Sequence, residues 1–390
     1  MPDSYLISAA RTPIGQFLGS FSNFSATDLG GVAIQSALQK SGLSAEQIDE
    51  VIMGNVIQAG VGQAPARQAA IKAGLPETVA AVTINKVCGS GLKAVMLADQ
   101  AIRCGDATAI VAGGMENMSM APHLVGQFRK GKKLGDGSMT DAMVHDGLTC
   151  SFRACHMGSH AEHTANKFNV TREDQDKFSV MSQTRAATAI EASSFVEEIA
   201  PVTIKSRKGE VVVDTDECVR GDSTLEGLAK LRTVFDPNGT VTAGNASVLS
   251  DGAAAVVVAD EATAASAEWK FKIVSHFTSG TAPEDLFIAP VAAIRDALEK
   301  ASLTLDDIDL FEINEAFASQ MLACMKELDL DEQKVNVAGG GISLGHPIGA
   351  SGARVLVTLM HALKTTNKRR GVAALCLGGG NAVAMIIEAA

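Results

Sequence analysis

The chain has 390 residues, of which 46% are hydrophobic and 20% are charged, so it is long enough to bury large apolar cores. Its formal net charge of −11 at pH 7 argues against nucleic acid as a partner, and no apolar run approaches the ~20 residues that a membrane-spanning helix needs. Abundant glycine, with 37 residues, and scarce aromatics, at 4%, favour an α/β protein in which helices pack closely on sheets.

The cysteine pattern bears on the cellular compartment. Seven cysteines, an odd number, are scattered along the chain and form no C-x-x-C pair. This pattern predicts reduced thiols in a cytosol-like compartment, so we expect a cytoplasmic protein. The cysteines are Cys88, Cys104, Cys150, Cys155, Cys218, Cys324 and Cys376.

The N-terminal region has the pattern of an α/β unit. Apolar residues at helical spacing predict a helix from Asp28 to Lys40, and the glycine at position 42 predicts its end. The apolar run at 48–54 then predicts a short buried strand.

A second copy of this pattern lies 260 residues later, because residues 37–49 align without a gap with residues 297–309. The similarity between the two copies continues with small gaps. Residues 108–114 and 372–379 are each an apolar run that ends in glycines. Internal repetition of this length predicts two similar halves related by a pseudo-twofold axis.

The stretch around Cys88 predicts a strand, a sharp turn and a buried helix. The apolar run at 79–84 comes first, and a Gly-Ser-Gly turn at 89–91 follows the cysteine. At a helix N-terminus, unpaired N–H groups and the helix dipole favour the thiolate. Cys88 is therefore a candidate nucleophile, and the alternative is a small buried hydrophobic residue.

Residues 120–249 differ in composition from their surroundings and predict an inserted, loop-rich region with a charged helix over 172–192. The apolar run at 253–259 then predicts a buried strand that completes the first unit. A basic run in the insertion is either a solvated loop or a landing surface for a phosphorylated ligand. This run consists of Arg129, Lys130, Lys132 and Lys133.

Two cysteines and three histidines cluster within the insertion. The histidines are spaced at i, i+4 and i+7, so they would share one face of a helix. Structural zinc is one interpretation, although the spacing matches no usual zinc finger, and elemental analysis would test it. The five residues are Cys150, Cys155, His156, His160 and His163.

Three further motifs with candidate catalytic residues lie in the C-terminal half. His346 lies in a glycine-rich turn at 339–352 that leads into an apolar helix, where a base would face the nucleophile. Cys376 ends a strand before three glycines whose N–H groups can hold an oxyanion. Asn314 is either an ordinary turn residue or a residue that orients a water molecule.

These four motifs resemble, in order and separation, those of the thiolase family. They are the cysteine turn at 88–91, Asn-Glu-Ala-Phe at 314–317, Gly-His-Pro at 345–347 and Cys-Leu-Gly-Gly-Gly at 376–380. The resemblance covers nearly the whole chain and implies two related α/β halves, a five-layered αβαβα core and an inserted loop domain. The expected boundaries are 1–119 for the N-terminal half, completed by 250–270, then 120–249 for the loop domain and 271–390 for the C-terminal half.

The resemblance implies an acyltransferase that condenses two acetyl-CoA molecules reversibly to acetoacetyl-CoA and CoA by a ping-pong mechanism. Cys88, activated by His346, would accept the acetyl group, and Cys376 would remove an α-proton from the second acetyl-CoA. One oxyanion hole would combine His346 with a water held by Asn314. The other would use the backbone N–H groups of Cys88 and Gly378.

The resemblance also implies that coenzyme A thioesters bind as substrates and that no cofactor or metal is bound permanently. The His-Met-Gly sequence at 156–158 resembles the short-chain branch of the family, in which the methionine narrows the acyl pocket. A homotetramer, built as a dimer of dimers, is implied as well. The expected coenzyme A contacts are Leu148, His156, Met157, Arg220, Ala243, Ser247, Phe317 and Ala318.

Three alternatives remain open at this point. A longer-chain 3-ketoacyl-CoA thiolase of fatty-acid β-oxidation would share the same motifs, and the turnover of acetoacetyl-CoA against a medium-chain substrate would separate the two. A non-catalytic, thiolase-like lipid carrier would not need all four catalytic motifs. A redox-sensing protein would have a similar low-pKa thiol but would lack the base and the oxyanion partners.

Overall fold

The computed structural model describes residues 2–126, 128–206 and 209–390. No helix within these ranges combines the length and the apolar character that crossing a membrane requires. The strands are β1 (Ser4–Arg11), β2 (Gly15–Gln16), β3 (Glu50–Gly54), β4 (Ala80–Ile84), β5 (Ala109–Asn117), β6 (His123–Leu124), β7 (Thr140–Asp141), β8 (Thr149–Cys150), β9 (Cys155–His156), β10 (Val202–Ser206), β11 (Gly209–Val213), β12 (Ser250–Asp260), β13 (Phe271–Gly280), β14 (Leu310–Ile313), β15 (Arg370–Leu377) and β16 (Asn381–Ala389). The helices are α1 (Ala26–Ser41), α2 (Pro65–Lys72), α3 (Ser90–Cys104), α4 (Met157–Phe168), α5 (Arg172–Glu191), α6 (Leu225–Ala229), α7 (Glu261–Ala264), α8 (Ala289–Ala301), α9 (Ala318–Leu328) and α10 (Ser351–Thr365).

The ends of α1 illustrate how local sequence sets the helix bounds. The Ser25 hydroxyl accepts a hydrogen bond from the Asp28 N–H, and the Asp28 carboxylate accepts one from the Ser25 N–H. At the other end Gly42 adopts a left-handed conformation with φ 73°, which glycine tolerates without strain. The helix predicted here is confirmed, and the reciprocal cap explains why it begins earlier than its apolar pattern.

The sheet repeats one arrangement twice. Its strand order is β14-β15-β16-β13-β1-β12-β5-β3-β4. In the N-terminal half, β3 and β5 form a parallel pair, β5 and β12 form an antiparallel pair, and β12 and β1 form a second antiparallel pair. In the C-terminal half β14, β15, β16 and β13 follow the same sequence of pairings. The predicted duplication is therefore present in the hydrogen-bond topology.

The helices divide the molecule into five layers. Helices α3 and α10 contribute to a buried apolar cluster that also takes side chains from both halves of the sheet. A second cluster packs α1 and α2 on the outer face of the N-terminal half, and a third packs α8 and α9 on the outer face of the C-terminal half. This is the five-layered αβαβα arrangement that the resemblance implied.

The two central helices approach each other through reciprocal glycines. A Cβ atom on Gly91 of α3 would lie 2.5 Å from the backbone nitrogen of Ala353, and one on Gly352 of α10 would lie 2.4 Å from that of Leu92. Both positions therefore require glycine for close backbone contact. The contact is symmetric, so the turns that precede α3 and α10 lie on opposite sides of the pseudo-twofold axis.

The inserted region packs on the first strand through a buried ion-pair group. Arg11, at the end of β1, bonds to Glu198 at 2.5 Å and to Asp216 at 2.7 Å, and all three side chains are buried. Strand β12 lies between β1 and β5, so the chain returns to the N-terminal half after the insertion. The exact domain boundaries stay a prediction.

We expect Gly91→Ala to lower the free energy of unfolding by about 1–3 kcal/mol, because its Cβ atom would press on the backbone of α10. Urea denaturation measures this change. Gly126→Ala is the matched control, since its Cβ atom would meet no atom of the described chain within 4 Å. Equal stability of the two variants would contradict the close helix crossing.

Candidate active site

A cavity of about 330 Å³ lies where the two halves meet the inserted region, and its walls are mainly apolar. Cys88, His346, Cys376 and Gly378 all contribute to its lining. Three of the predicted catalytic side chains are thus brought together from three distant parts of the sequence. A second cavity, of about 340 Å³ between α5 and α10, contains none of the predicted catalytic residues.

The turn that carries Cys88 is held by one serine. The Ser90 hydroxyl accepts a hydrogen bond from the Lys86 N–H at 2.8 Å and donates one to the Val87 carbonyl at 2.6 Å. Val87 has φ 47°, a conformation that is uncommon for a β-branched residue and typical of functional sites. Helix α3 begins at Ser90, so Cys88 lies just before it, as the sequence predicted.

The thiol of Cys88 is not poised as a thiolate. Burial raises its pKa to about 11, and this effect outweighs the N–H groups of Gly378 and of Cys88 itself, which face the sulfur and lower the pKa. The nearby charge of Glu116 raises the pKa further. The sequence led us to expect that the helix dipole would favour the thiolate, but the desolvation of Cys88 has the larger effect and favours the neutral thiol. The cysteine therefore needs a base.

His346 is a candidate for that base. Its Nδ1 atom lies 2.6 Å from the Ser351 Oγ, and the Ser351 hydroxyl donates its own proton to the Pro347 carbonyl at 2.9 Å. The serine oxygen must then accept from Nδ1–H, which leaves Nε2 unprotonated and able to accept a proton. Burial, together with the charge of Arg354, lowers the pKa of His346 to about 3. The imidazole is therefore neutral at pH 7.

Helix α10 begins at Ser351, so His346 lies in the glycine-rich turn that leads into the helix, as the sequence predicted. The residue after the histidine helps to form this turn. Proline has no N–H group, and the Pro347 carbonyl accepts the N–H groups of Ala350 and Ser351, which forms a tight turn first.

Asn314 is fully buried beside the histidine, which argues against an ordinary turn residue. Its Nδ2 atom lies 3.4 Å from His346 Nε2, and Arg354 Nη2 lies 3.5 Å from its Oδ1. Arg354 is in turn bonded to Glu312 at 2.7 Å, in a buried ion pair. The guanidinium thereby orients the amide so that its NH₂ group faces the imidazole.

Cys376 lies near the end of β15 and is buried. Burial and the neighbouring Cys88 raise the pKa of its thiol well above the usual value. The Gly378 N–H faces the sulfur of Cys88, and a Cβ atom on Gly378 would lie only 3.2 Å from Val87 Cγ1. The glycine therefore lets the strand end approach the cysteine turn.

Of the eight residues expected to contact coenzyme A, two do not line the cavity. Ala318 is fully buried at the start of α9, and Arg220 lies outside the lining, where its N–H donates to Gln183 Oε1 at 2.7 Å. All eight assignments stay predictions. The six that line the cavity are Leu148, His156, Met157, Ala243, Ser247 and Phe317.

Two residues that the sequence did not single out shape this site. Phe235 stacks on His156 with ring centroids 4.7 Å apart, and it lines the cavity. Glu116 is a buried carboxylate that accepts N–H groups from Val56 and from Gly349, both at 3.0 Å. Glu116 therefore connects the histidine turn to the N-terminal half. The sequence feature that could have identified it is a charged residue within the otherwise apolar strand 109–117.

The basic run is exposed and lies outside the cavity lining, so it faces solvent in the single chain. This exposure fits a solvated loop and leaves the landing-surface interpretation a prediction. Part of the run lies in a short helical turn, Phe128–Lys130.

The structure does not assemble the suspected zinc site. Cys155 Sγ lies 3.6 Å from His160 Nε2, whereas His163 is paired with Asp285 at 3.0 Å. The ring of His156 stacks on an aromatic neighbour instead. Among the described residues, no group of three or more His, Cys, Asp or Glu side chains could hold a metal ion.

Comparisons with known proteins agree over the whole chain. The thiolase N-terminal domain family matches residues 4–262, and the thiolase C-terminal domain family matches residues 267–389. The acetyl-CoA acetyltransferases of Escherichia coli K12 and Cupriavidus necator are each 51% identical to this chain over 391 residues. Both alignments cover 100% of this chain, and they cover 99% of the Escherichia coli protein and 100% of the Cupriavidus necator protein. The crystal structure of the Bacillus anthracis acetyl-CoA acetyltransferase matches with a TM-score of 0.97 at 43% identity, covering 100% of this chain and 99% of that one.

The lowered pKa of His346 predicts a loss of stability in acid. An unfolded histidine binds a proton below about pH 6.5, whereas the folded imidazole binds one only near its pKa of about 3. The free energy of unfolding should therefore fall as the pH is lowered through this window, and His346 should account for about 2 kcal/mol at pH 5.

Urea titrations of the wild type and of His346→Gln at pH 7 and pH 5 measure this contribution. The variant should lose less stability between the two pH values. His123→Gln, which replaces an exposed imidazole, is the control. An unchanged pH dependence in His346→Gln would contradict the assignment.

Proposed function

The chain belongs to the thiolase family, and on that premise we propose that it is an acetyl-CoA C-acetyltransferase. In this proposal it condenses two acetyl-CoA molecules reversibly to acetoacetyl-CoA and CoA. The observation that carries the proposal is the single cavity in which Cys88, His346 and Cys376 meet. The printed names of the full-length relatives support the choice of substrate.

The first half-reaction transfers an acetyl group to Cys88. The neutral Nε2 of His346 accepts the thiol proton while the sulfur attacks the thioester carbonyl. The carbon–sulfur bond to coenzyme A breaks, and the departing thiolate takes the proton from the imidazolium. The pKa of Cys88 is high and that of His346 is low, so no ion pair forms beforehand and the proton moves as the new bond forms.

The second half-reaction uses Cys376 as the base for carbon–carbon bond formation. As a thiolate it takes an α-proton from a second acetyl-CoA, and the resulting enolate attacks the acetyl carbonyl on Cys88. The bond to the Cys88 sulfur breaks, and the imidazolium of His346 returns a proton to this thiolate. The buried position of Cys376 disfavours a free thiolate, so its proton passes to the free Nε2 of His346 in the loaded site before the α-proton is taken.

Hydrogen-bond donors stand where negative charge develops. The N–H groups of Gly378 and Cys88 face the sulfur that would carry the acetyl group, so they can donate to its carbonyl oxygen. His346 and the NH₂ group of Asn314 lie together on another part of the site. When Nε2 of His346 carries a proton, both groups can donate, which supports the second oxyanion hole, with a water held by the asparagine, that the family resemblance implies.

The cavity walls support a short acyl chain. Met157, Leu148, Phe287 and Phe317 line the space around the cysteines. Phe287 and Phe317 pack edge to face with centroids 5.2 Å apart, so this wall is rigid and apolar. A longer-chain 3-ketoacyl-CoA thiolase remains the second candidate within the family.

The proposal includes substrates but no permanently bound cofactor, and a homotetramer in the cytoplasm. Coenzyme A thioesters enter and leave in each half-reaction. Exposed apolar side chains in the loop region support an assembly, since a monomer would leave them in water. The free state of all seven cysteines supports a reducing compartment. The exposed side chains are Met120, Val125, Phe128, Leu134 and Met139.

The roles of the two cysteines predict different behaviour of their variants. Cys88→Ser should prevent the formation of an acetyl-enzyme from acetyl-CoA, whereas Cys376→Ala should still be acetylated yet should not condense. Intact-mass spectrometry after brief incubation, with release of acetoacetyl-CoA followed in parallel, measures both outcomes. An acetylated Cys88→Ser protein would refute the nucleophile assignment.

The preference of the enzyme for short or longer acyl chains tests the proposed substrate. We expect thiolysis of acetoacetyl-CoA to exceed that of a medium-chain 3-ketoacyl-CoA in kcat/KM, because the wall at Met157 restricts the space. Met157→Ala should reduce this preference. A wild-type enzyme that prefers the medium-chain substrate would overturn the short-chain proposal in favour of the β-oxidation alternative.

A further inference from the structure

The hairpin of β8 and β9 carries two cysteines opposite each other. Cys150 on β8 pairs with Cys155 on β9, and Thr149 pairs with His156. The turn between them is closed by the Ala154 N–H, which donates to the Cys150 carbonyl at 2.7 Å. Both thiols are free, and the mechanism above uses neither of them.

The pairing geometry suits a disulfide. Directly opposed residues of antiparallel strands project from the same face, with Cα atoms about 4.5 or 5.5 Å apart. Disulfides span Cα separations of about 4.4–6.8 Å. Cys150 and Cys155 therefore meet the backbone requirement without a change of register.

A base lies beside one of the two thiols. Cys155 Sγ is 3.6 Å from His160 Nε2. Burial lowers the pKa of His160, so its imidazole is neutral and can accept a proton. Burial and the adjacent Cys150 raise the pKa of Cys155, so this thiol needs such an acceptor before it can react.

Access distinguishes the two cysteines. Cys155 is partly exposed, whereas Cys150 is buried, with 1% of its surface accessible. A soluble oxidant therefore reaches Cys155 first, and Cys150 is positioned to resolve the oxidised sulfur.

We propose that Cys150 and Cys155 form a dithiol site that hydroperoxides oxidise to a disulfide. The Cys155 proton passes to His160, and the thiolate attacks the peroxide, which breaks the O–O bond and gives a sulfenic acid. The departing alkoxide or hydroxide leaves as an alcohol or as water after it takes up that proton. The Cys150 thiol then attacks the sulfenic sulfur, the S–S bond forms, and water leaves. Two thiols lose two electrons, and one peroxide gains them.

The hairpin joins this site to the catalytic cavity. Leu148 precedes β8, and His156 and Met157 follow Cys155, and all three line the cavity. At the tip, Phe152 lies against the glycine turn after Cys376, since a Cβ atom on Gly379 would be 3.5 Å from its ring. The disulfide would therefore restrain one wall of the cavity.

Peptide mapping tests the site without reference to acyl transfer. The full-length Cys88→Ser protein, which lacks the proposed nucleophile, is treated with hydrogen peroxide, its free thiols are alkylated, and it is digested with trypsin. Trypsin cuts after Arg153, so the two cysteines fall in peptides 134–153 and 154–167, each with a single cysteine. We expect these peptides to be linked and to separate on reduction with dithiothreitol.

Matched variants separate the steps. Cys150→Ser should leave a sulfenic acid at Cys155 that a dimedone probe labels, and His160→Gln should slow linkage at least about tenfold. The exposed Cys104 reports whether oxidant reached the protein. Oxidised Cys104 with unlinked 134–153 and 154–167 peptides would overturn the proposal, as would linkage of either cysteine to another partner. Neither result would affect the assignment of the acyltransferase.

Discussion

The backbone contact between the starts of α3 and α10 is the constraint on which the site depends. Gly91 and Gly352 allow each helix to touch the backbone of the other, where any Cβ atom would clash. Because each helix follows a turn that carries a candidate catalytic residue, this one contact places Cys88 and His346 across the pseudo-twofold axis. Glu116 reinforces it, since its carboxylate accepts N–H groups from both halves.

Burial then decides how the groups behave. The same desolvation that raises the pKa of both cysteine thiols lowers that of His346, so the resting site holds neutral thiols and a neutral base. Beside it, Arg354 and Glu312 form a buried ion pair. A neutral, largely apolar site carries little charge before substrate binds. Its aligned N–H groups stabilise the negative charge that develops during the reaction.

The duplicated halves and the insertion contribute differently. The halves supply the proposed reacting groups, because their strand ends and helix starts converge at the centre of the molecule. The insertion supplies much of the wall, including the Met157 side chain and the stacked pair of His156 and Phe235. The β8–β9 hairpin belongs to the insertion, so a disulfide there would alter the wall and leave the reacting groups in place.

The sequence alone determined the duplication, the α1 helix, and the positions of Cys88, His346 and Cys376, because each leaves a local pattern of apolar spacing, glycines or repetition. Only the tertiary structure decided the protonation of Cys88, where burial overrides the helix dipole. It alone revealed that Ser351 fixes the tautomer of His346. These properties depend on desolvation and on contacts between distant segments, which no local pattern encodes.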